Sequence, residues 1–229
     1  MSPLVLLPGM MCDGRLFGPQ IAAFGDRTLH LAPMVGAVTV QALAAQILAD
    51  APPRFALAGL SMGGIVAMEI MAQAPCRVTH LALLDTNPRA EMPEVQARRA
   101  PQIAKVQAGG LEVVIRDEMK PNYLTDGPNR GAILDLCMDM ALTLGPKAFV
   151  NQSLALRDRP DQQTTLSRVT VPTLILCGRQ DTLCPVERHE FMHALIPHST
   201  LHIVEDAGHL PTLEQPDLTT AALRHWLEA

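Results

Sequence analysis

Nothing in this chain marks it for a polyanion, a membrane or an oxidising compartment. Basic residues are outnumbered, 18 Lys and Arg against 23 Asp and Glu, for a formal net charge of −5, and no run of Lys and Arg alternates with aromatics. Neutralising a phosphate backbone needs the opposite balance, so nucleic acid is not an expected partner. The cysteines are odd in number, five, and widely spaced. Without a paired CxxC they fit neither a disulfide framework nor a zinc site. They read as small apolar residues in a reducing cytoplasm. Long apolar runs are missing too. The opening residues MSPLVLLPGMMCDG have no preceding positive charge and too few apolar residues to span a bilayer. They are expected to form a buried strand, not a signal, with no membrane as partner.

What is present is apolar material enough for one sizeable core: 229 residues, 48% hydrophobic and 18% charged. Nearly continuous apolar runs of strand length fall at 4–7, 28–32, 55–58, 81–84, 173–177 and 200–204. Helical spacing of apolar residues falls between them, at 39–50, 62–74, 185–195 and 217–227. Alternation of this kind predicts an α/β fold with a mainly parallel six-stranded sheet between helical layers. Right-handed crossovers then put the C-terminal strand ends on one edge, where ligands bind in open α/β sheets. From 87 to 161 no strand pattern appears, and charged residues such as Arg98, Arg99, Arg116 and Lys120 alternate with apolar ones. A helical insertion is expected there. Breaks at Gly109-Gly110, Pro121, Gly127-Pro128 and Gly145-Pro146 suggest about four short helices. The predicted division is a core of 1–86 and 162–229 with a small helical cap, 87–161.

The strongest chemical signal is Gly59-Leu60-Ser61-Met62-Gly63-Gly64, between a strand and a helix. A nucleophile on so tight a strand-to-helix turn needs small residues two before and two after it, and Gly59 and Gly63 meet that need. Serine is a weak nucleophile until a base takes its proton and a third group orients the base. Of the eight histidines, His209 alone follows a strand end in a glycine-containing loop, EDAGHLP. The other histidines fall in strands, on helices or in a turn, where solvated or satisfied side chains suit them. Asp181, in the loop GRQDTLCP after the fifth strand, is the expected acid, with Asp85 at the end of the fourth strand as its rival. Asp206 is expected to brace the His209 loop. Acyl transfer also needs oxyanion donors. Met62 N–H is one candidate, and the loop Pro8-Gly9-Met10-Met11 offers Met10, or second to it Met11.

Together the LLPG loop, GLSMGG, LLDTNPR, CGRQDTLCP and EDAGHLPTLEQP resemble the α/β-hydrolase superfamily, in particular its small single-domain serine esterases, over nearly the whole chain. The order Ser61, Asp181, His209 is the one that architecture uses. The resemblance implies a three-layer α/β-hydrolase fold lacking the usual first hairpin. It also implies hydrolysis of carboxylic esters of small, largely apolar substrates through an acyl-enzyme on Ser61, with no metal or organic cofactor. Serine at 61, where haloalkane dehalogenases carry aspartate, argues against carbon–halogen hydrolysis.

Flexible apolar residues are expected to line the pocket: Met11 and Met138 with Met10, Met92, Met119, Met140 and Leu142, and Leu183 and Leu210 beside the acid and the base. The expected partner is a small-molecule substrate, bound by a monomer or homodimer. Relatives of this kind also include lactonases, aminopeptidases that release N-terminal proline, carbon–carbon bond hydrolases and a menaquinone-pathway lyase, and fold cannot choose among them. An aminopeptidase would need an acidic clamp, for which Glu91, Glu94 and Glu118 are available. A ligand-binding receptor that kept the fold is the non-enzyme alternative.

Overall fold

In the computed structural model, which describes residues 2–229, the strands β1 (Leu4–Leu7), β2 (Leu29–Leu31), β3 (Phe55–Leu60), β4 (Val78–Leu84), β5 (Thr173–Gly178) and β6 (Thr200–Val204) form one sheet in the order β2-β1-β3-β4-β5-β6. Every neighbouring pair is parallel. Strands β1, β3 and β5 are buried along their whole length, while the edge strands β2 and β6 are partly open. Covered on both faces, the central strands have no polar side to show, and their sequences run apolar without interruption.

The two-residue period of a strand sorts its side chains between two cores. Val5, Leu7, Phe55, Leu57, Leu81, Leu83 and Ile175 face α2 (Val40–Asp50), α3 (Met62–Gln73), α7 (Gln163–Leu166) and α8 (Val186–Leu195). Leu4, Leu6, Ala56, Ala58, Leu60, Ala82, Leu84, Leu174 and Leu176 belong to the opposite core. There α10 (Pro216–Leu227) contributes Leu223 and Trp226, and the stretch around α1 (Gly18–Ala23) contributes Leu16, Phe17 and Phe24. A short α9 (Pro211–Glu214) leads into α10. α3 is buried from Met62 through Met71, apolar on every side but for Glu69, whose carboxylate is met by Gln73 and Gln162. Burial on every side holds its N-terminus firmly, and that is where Ser61 sits.

Between β4 and β5 the chain is helical. α4 (Pro93–Gln107) is followed by α5 (Leu111–Val114), a π-helical turn at Ile115–Met119, a 3-10 turn at Lys120–Asn122, and α6 (Arg130–Arg157). The expectation of about four helices holds, with a difference at Pro121. α6 spans 28 residues, but Gly145 leaves helical geometry at φ 78° and ψ 177°, so two helices meet at Gly145-Pro146, where a break was expected. Pro121 stands inside the 3-10 turn, at an N-terminal position where its missing N–H costs no bond, and the helical run ends one residue later, at Asn122. The turn at Gly109, φ 91°, does separate α4 from α5. This segment has a core of its own: Val106, Leu111, Val114, Ile115, Ala141, Ala148 and Phe149, closed by Met11 from the loop after β1. Among the described residues no helix is long and apolar enough to cross a membrane.

Candidate active site

The strand order places β1 and β3 side by side, with β2 on one flank and β4 to β6 on the other. Chain direction across the sheet changes between them, and in open α/β sheets a crevice forms at such a point beyond the carboxyl ends of the strands. Met10 leaves β1 and Ser61 leaves β3 into that crevice.

Ser61 adopts φ 55° and ψ −114°, a conformation a residue with a side chain rarely holds. Strand-type and helical bonds fix it from both sides. Its N–H donates to the Leu84 carbonyl at 2.8 Å, and its own carbonyl accepts the Ile65 N–H and the Thr86 hydroxyl, the latter at 2.7 Å. A Cβ on Gly59 would lie 2.3 Å from the Gly63 oxygen, and one on Gly63 would lie 2.0 Å from the Leu7 oxygen, so neither position tolerates a side chain. Gly64 is constrained as well, since a Cβ there would meet the Thr86 side chain at 2.6 Å.

Three side chains meet at the turn. The Ser61 hydroxyl lies 2.9 Å from His209 Nε2, and His209 Nδ1 lies 2.8 Å from Asp181 Oδ2. Asp181 Oδ1 accepts the backbone N–H groups of Leu183 and Cys184 at 2.8 and 3.0 Å. Burial opposes ionisation of Asp181, but the neighbouring His209 and the two backbone donors outweigh it and hold its pKa below the ordinary carboxylate value. The acid therefore stays charged, which is what a group orienting and stabilising an imidazolium must do.

Asp85 is placed differently. It is fully buried, has a positive φ of 44°, and accepts the Gly178 N–H at 2.9 Å. Its second oxygen has no donor among the described residues. Burial and then the proximity of Asp181 push its pKa well above the ordinary value. A protonated Asp85 leaves the charge on Asp181. His209 is bonded to Asp181 and not to Asp85.

The two oxyanion candidates of the loop after β1 separate cleanly. Met11 N–H donates to Gln152 Oε1 at 2.9 Å, and Gln152 Nε2 donates in turn to the Met34 carbonyl at 2.8 Å. Met10 N–H and Met62 N–H have no acceptor among the described residues. Met62 opens α3, where the first N–H groups lack helical partners and the helix dipole favours negative charge.

The His209 loop is mounted by a residue that sequence reading quoted but gave no role. Glu214 Oε2 accepts the N–H groups of Gly208 and Leu210, and its Oε1 accepts the N–H and hydroxyl of Thr125 from the helical segment. His209 N–H itself donates to the Tyr123 carbonyl at 2.8 Å. The bracing expected of Asp206 is therefore done by Glu214. Asp206 instead supplies a positive-φ turn at 54° and a carbonyl for Gln215. Behind Ser61, buried His189 accepts the Thr86 N–H at Nε2, and burial lowers its pKa to about 4, so it stays neutral.

A cavity of about 360 Å³ opens on Ser61 and His209. Met10, Met62, Leu183 and Leu210 line it, together with Met92 and Met119. Met11 and Met138 do not: both pack into the separate core of the helical segment, Met11 because the Gln152 bond turns it inward. Met140 is fully buried against the sheet, and Leu142 is on the surface, so neither faces the cavity. The acidic groups available for an amine clamp are committed elsewhere. Glu91 is bound by Arg99 and Arg159, Glu118 by Lys105 and Gln102, and Glu94 stands exposed on α4 outside the cavity.

Asp181, Cys184 and His209 bring one potential metal-ligand atom each within 4.8 Å of the others. A metal there would have to displace the Asp181–His209 bond, and burial raises the Cys184 thiol far above its ordinary pKa, away from the thiolate a metal requires. These residues fit a proton relay and not a metal centre.

The sequence profile described as the alpha/beta hydrolase family matches residues 4–222. The chain belongs to that family of enzymes. It is similar to a pimeloyl-[acyl-carrier protein] methyl ester esterase from Aliivibrio salmonicida, 25% identical over 99% of this chain and 92% of the relative. The enzyme of that name from Salmonella newport is 27% identical, over 96% of this chain and 91% of the relative. Among solved structures, a thermophilic esterase from Thermogutta terrifontis, malate bound, superposes with a TM-score of 0.90 at 28% identity, covering 100% of this chain and 90% of that one. An enol-lactonase from Burkholderia xenovorans, TM-score 0.86 at 22% identity over 100% of this chain and 92% of that one, shares the fold.

Proposed function

We propose that the chain is a serine carboxylesterase acting through an acyl-enzyme on Ser61. The observation that carries this reading is the hydrogen-bonded series Ser61, His209, Asp181 beside the unpartnered N–H groups of Met10 and Met62. His209 takes the hydroxyl proton as Ser61 attacks the ester carbonyl, and the Met10 and Met62 N–H groups receive the charge that develops on oxygen. The imidazolium, held by Asp181, then protonates the leaving alcohol. Water, deprotonated by the same His209, hydrolyses the acyl-enzyme and returns Ser61. The relatives named as methyl ester esterases support an ester of a small alcohol. The apolar part of the wall, Met10, Leu60, Met62, Ile65 and Leu156, suits a hydrophobic portion of the substrate.

The test is hydrolysis of p-nitrophenyl esters from acetate to decanoate by the wild type and Ser61→Ala, with covalent labelling by a fluorophosphonate. The wild type is expected to label and turn over, and the variant to do neither, with loss of activity to background. Retained activity in Ser61→Ala rejects Ser61 as the nucleophile.

A further inference from the structure

Beyond Ser61 the cavity wall changes from apolar to cationic. Glu91 is a single carboxylate shared by two guanidinium groups. Arg99 binds it side-on, Nε to Oε2 at 2.8 Å and Nη2 to Oε1 at 2.7 Å, and Arg159 Nη1 reaches Oε1 at 3.0 Å. All three are largely out of water, with side-chain exposures of 2% for Glu91, 12% for Arg99 and 11% for Arg159. One negative charge facing two positive ones leaves an excess cation in a desolvated cluster, an arrangement that costs free energy until an anion joins it. For Arg159 burial outweighs the attraction of Glu91 and lowers its pKa. Donors are left over as well: Arg99 Nη1 finds only the Met10 sulfur, at 3.6 Å, a weak acceptor. Arg98, also on the cavity wall, makes no hydrogen bond or ion pair among the described residues. The other carboxylate on the wall, Glu118, is already bound to Lys105 at 2.6 Å.

The position of this cluster relative to the chemistry matters. Arg99 touches the side chain of Met10, whose backbone N–H is the free donor of the loop after β1. One methionine side chain therefore separates the cationic cluster from the place where an ester carbonyl would sit. From this we infer that the substrate carries a carboxylate a few bonds from its ester, bound by the Arg99–Glu91–Arg159 cluster, so that the enzyme selects half-esters of short dicarboxylic acids or esters of short hydroxy acids. This rests on the esterase reading above and adds the substrate's charge to it. The long-range field works against the preference, because the chain as a whole carries −5, so selection for an anion has to come from the local arginines.

The experiment measures kcat/KM for two matched pairs. p-Nitrophenyl butyrate against mono-p-nitrophenyl glutarate places the carboxylate on the acyl side. Phenyl acetate against 4-acetoxybenzoate places it on the alcohol side. The wild type is expected to prefer the anionic member of one pair by about ten-fold or more, the scale of a charge-assisted bond to arginine. The pair showing the preference identifies the portion that carries the carboxylate. Arg159→Gln removes the excess charge while keeping the side-on Arg99–Glu91 pair, and should reduce the ratio to about two-fold or below. Arg159→Lys should retain part of it. Each ratio is internal to one protein sample, so a loss of folded enzyme cancels. Neutral esters turned over as well as their anionic partners in both pairs overturn the inference and leave the esterase reading intact. An anion preference that survives Arg159→Gln removes it from this cluster. If no ester of either charge is hydrolysed and the fluorophosphonate does not label, the esterase reading itself fails and this inference with it.

Discussion

Gly178 closes β5 three residues before Asp181, and its backbone runs against the loop that carries His209. A Cβ at this position would lie 2.0 Å from the Gly208 oxygen and 2.4 Å from the Ala207 oxygen. Both are backbone atoms, so no side chain can swing aside to make room. Ordinary contact begins at 3.4 Å, so Gly178→Ala requires the two loops to separate by about 1.4 Å, the difference of 3.4 and 2.0. If they move as units, the 2.8 Å bond between His209 Nδ1 and Asp181 Oδ2 stretches to roughly 4 Å and ceases to be a hydrogen bond. Overpacking of this kind costs about 1–3 kcal/mol, and a backbone-to-backbone clash belongs at the upper end. A displacement near 1 Å in a reacting constellation costs ~100-fold in rate. Urea unfolding and p-nitrophenyl ester kinetics should therefore show a loss of stability together with a fall in kcat of that order. Gly131→Ala is the control. Its Cβ meets nothing within 4 Å and it lies in α6, where alanine is expected to stabilise by about 0.5–1 kcal/mol. A Gly178→Ala enzyme within two-fold of wild-type kcat, with unchanged stability, would refute the idea that this contact sets the spacing of acid and base.

Two buried groups near the site should shape the pH dependence of folding in opposite senses. Asp85, its pKa raised, keeps its proton in the fold and loses it on unfolding above the ordinary carboxylate pKa, so its contribution falls by about 1.4 kcal/mol per pH unit as pH rises. His189, lowered from 6.5 to about 4, stays neutral in the fold, so its contribution is complete above 6.5 and is lost as pH falls through that interval, about 3 kcal/mol in all. Above the ordinary carboxylate pKa the two slopes oppose one another. Asp85→Asn should unmask the histidine, with stability climbing by about 3 kcal/mol across the interval, and urea unfolding at several pH values that shows no change of slope contradicts the assignment. Glu214→Gln turns an amide NH2 either toward the Gly208 and Leu210 N–H groups that Oε2 now receives or toward the Thr125 N–H and hydroxyl that Oε1 receives. A loss of about 1–3 kcal/mol is expected, with slower fluorophosphonate labelling of Ser61. Unchanged labelling would show that the His209 loop holds its shape without Glu214.

The parts of the fold that sequence reading reached are those with a local signature. Strands buried on both faces are written as unbroken apolar runs, and all six were found, the edge strand β2 at Leu29–Leu31 inside the longer run 28–32. The turn at Ser61 announces itself because backbone approaches of 2.3 and 2.0 Å leave room only for Gly59 and Gly63. What stayed hidden are contacts between residues remote in the chain: Met11 with Gln152, Thr86 with His189, Glu91 with Arg159. A glutamine in a helix or an arginine at a helix end carries no sign of the partner it will meet. Met11 was misplaced for that reason, since only the bond from Gln152 distinguishes its inward course from that of Met10. Gly145-Pro146 carried a local signal, since a glycine at φ 78° before a proline interrupts helical geometry, whereas Pro121 sits one residue inside the end it marks.

Glu214 and the Tyr123 carbonyl give the helical segment and the histidine loop a common mounting. A segment inserted between two strands is ordinarily treated as exchangeable, with one cover traded for another to change what the enzyme accepts. Here the natural unit of exchange is smaller than the insertion. Residues 123–125 belong with the base, whatever helices are set on either side of them. A chimera taking a relative's cover wholesale would arrive with a foreign anchor under His209, whereas one whose seams leave 123–125 in place could change the pocket and keep the chemistry. Variation in specificity and preservation of the relay would then be divided at that three-residue stretch, and not at the ends of the insertion.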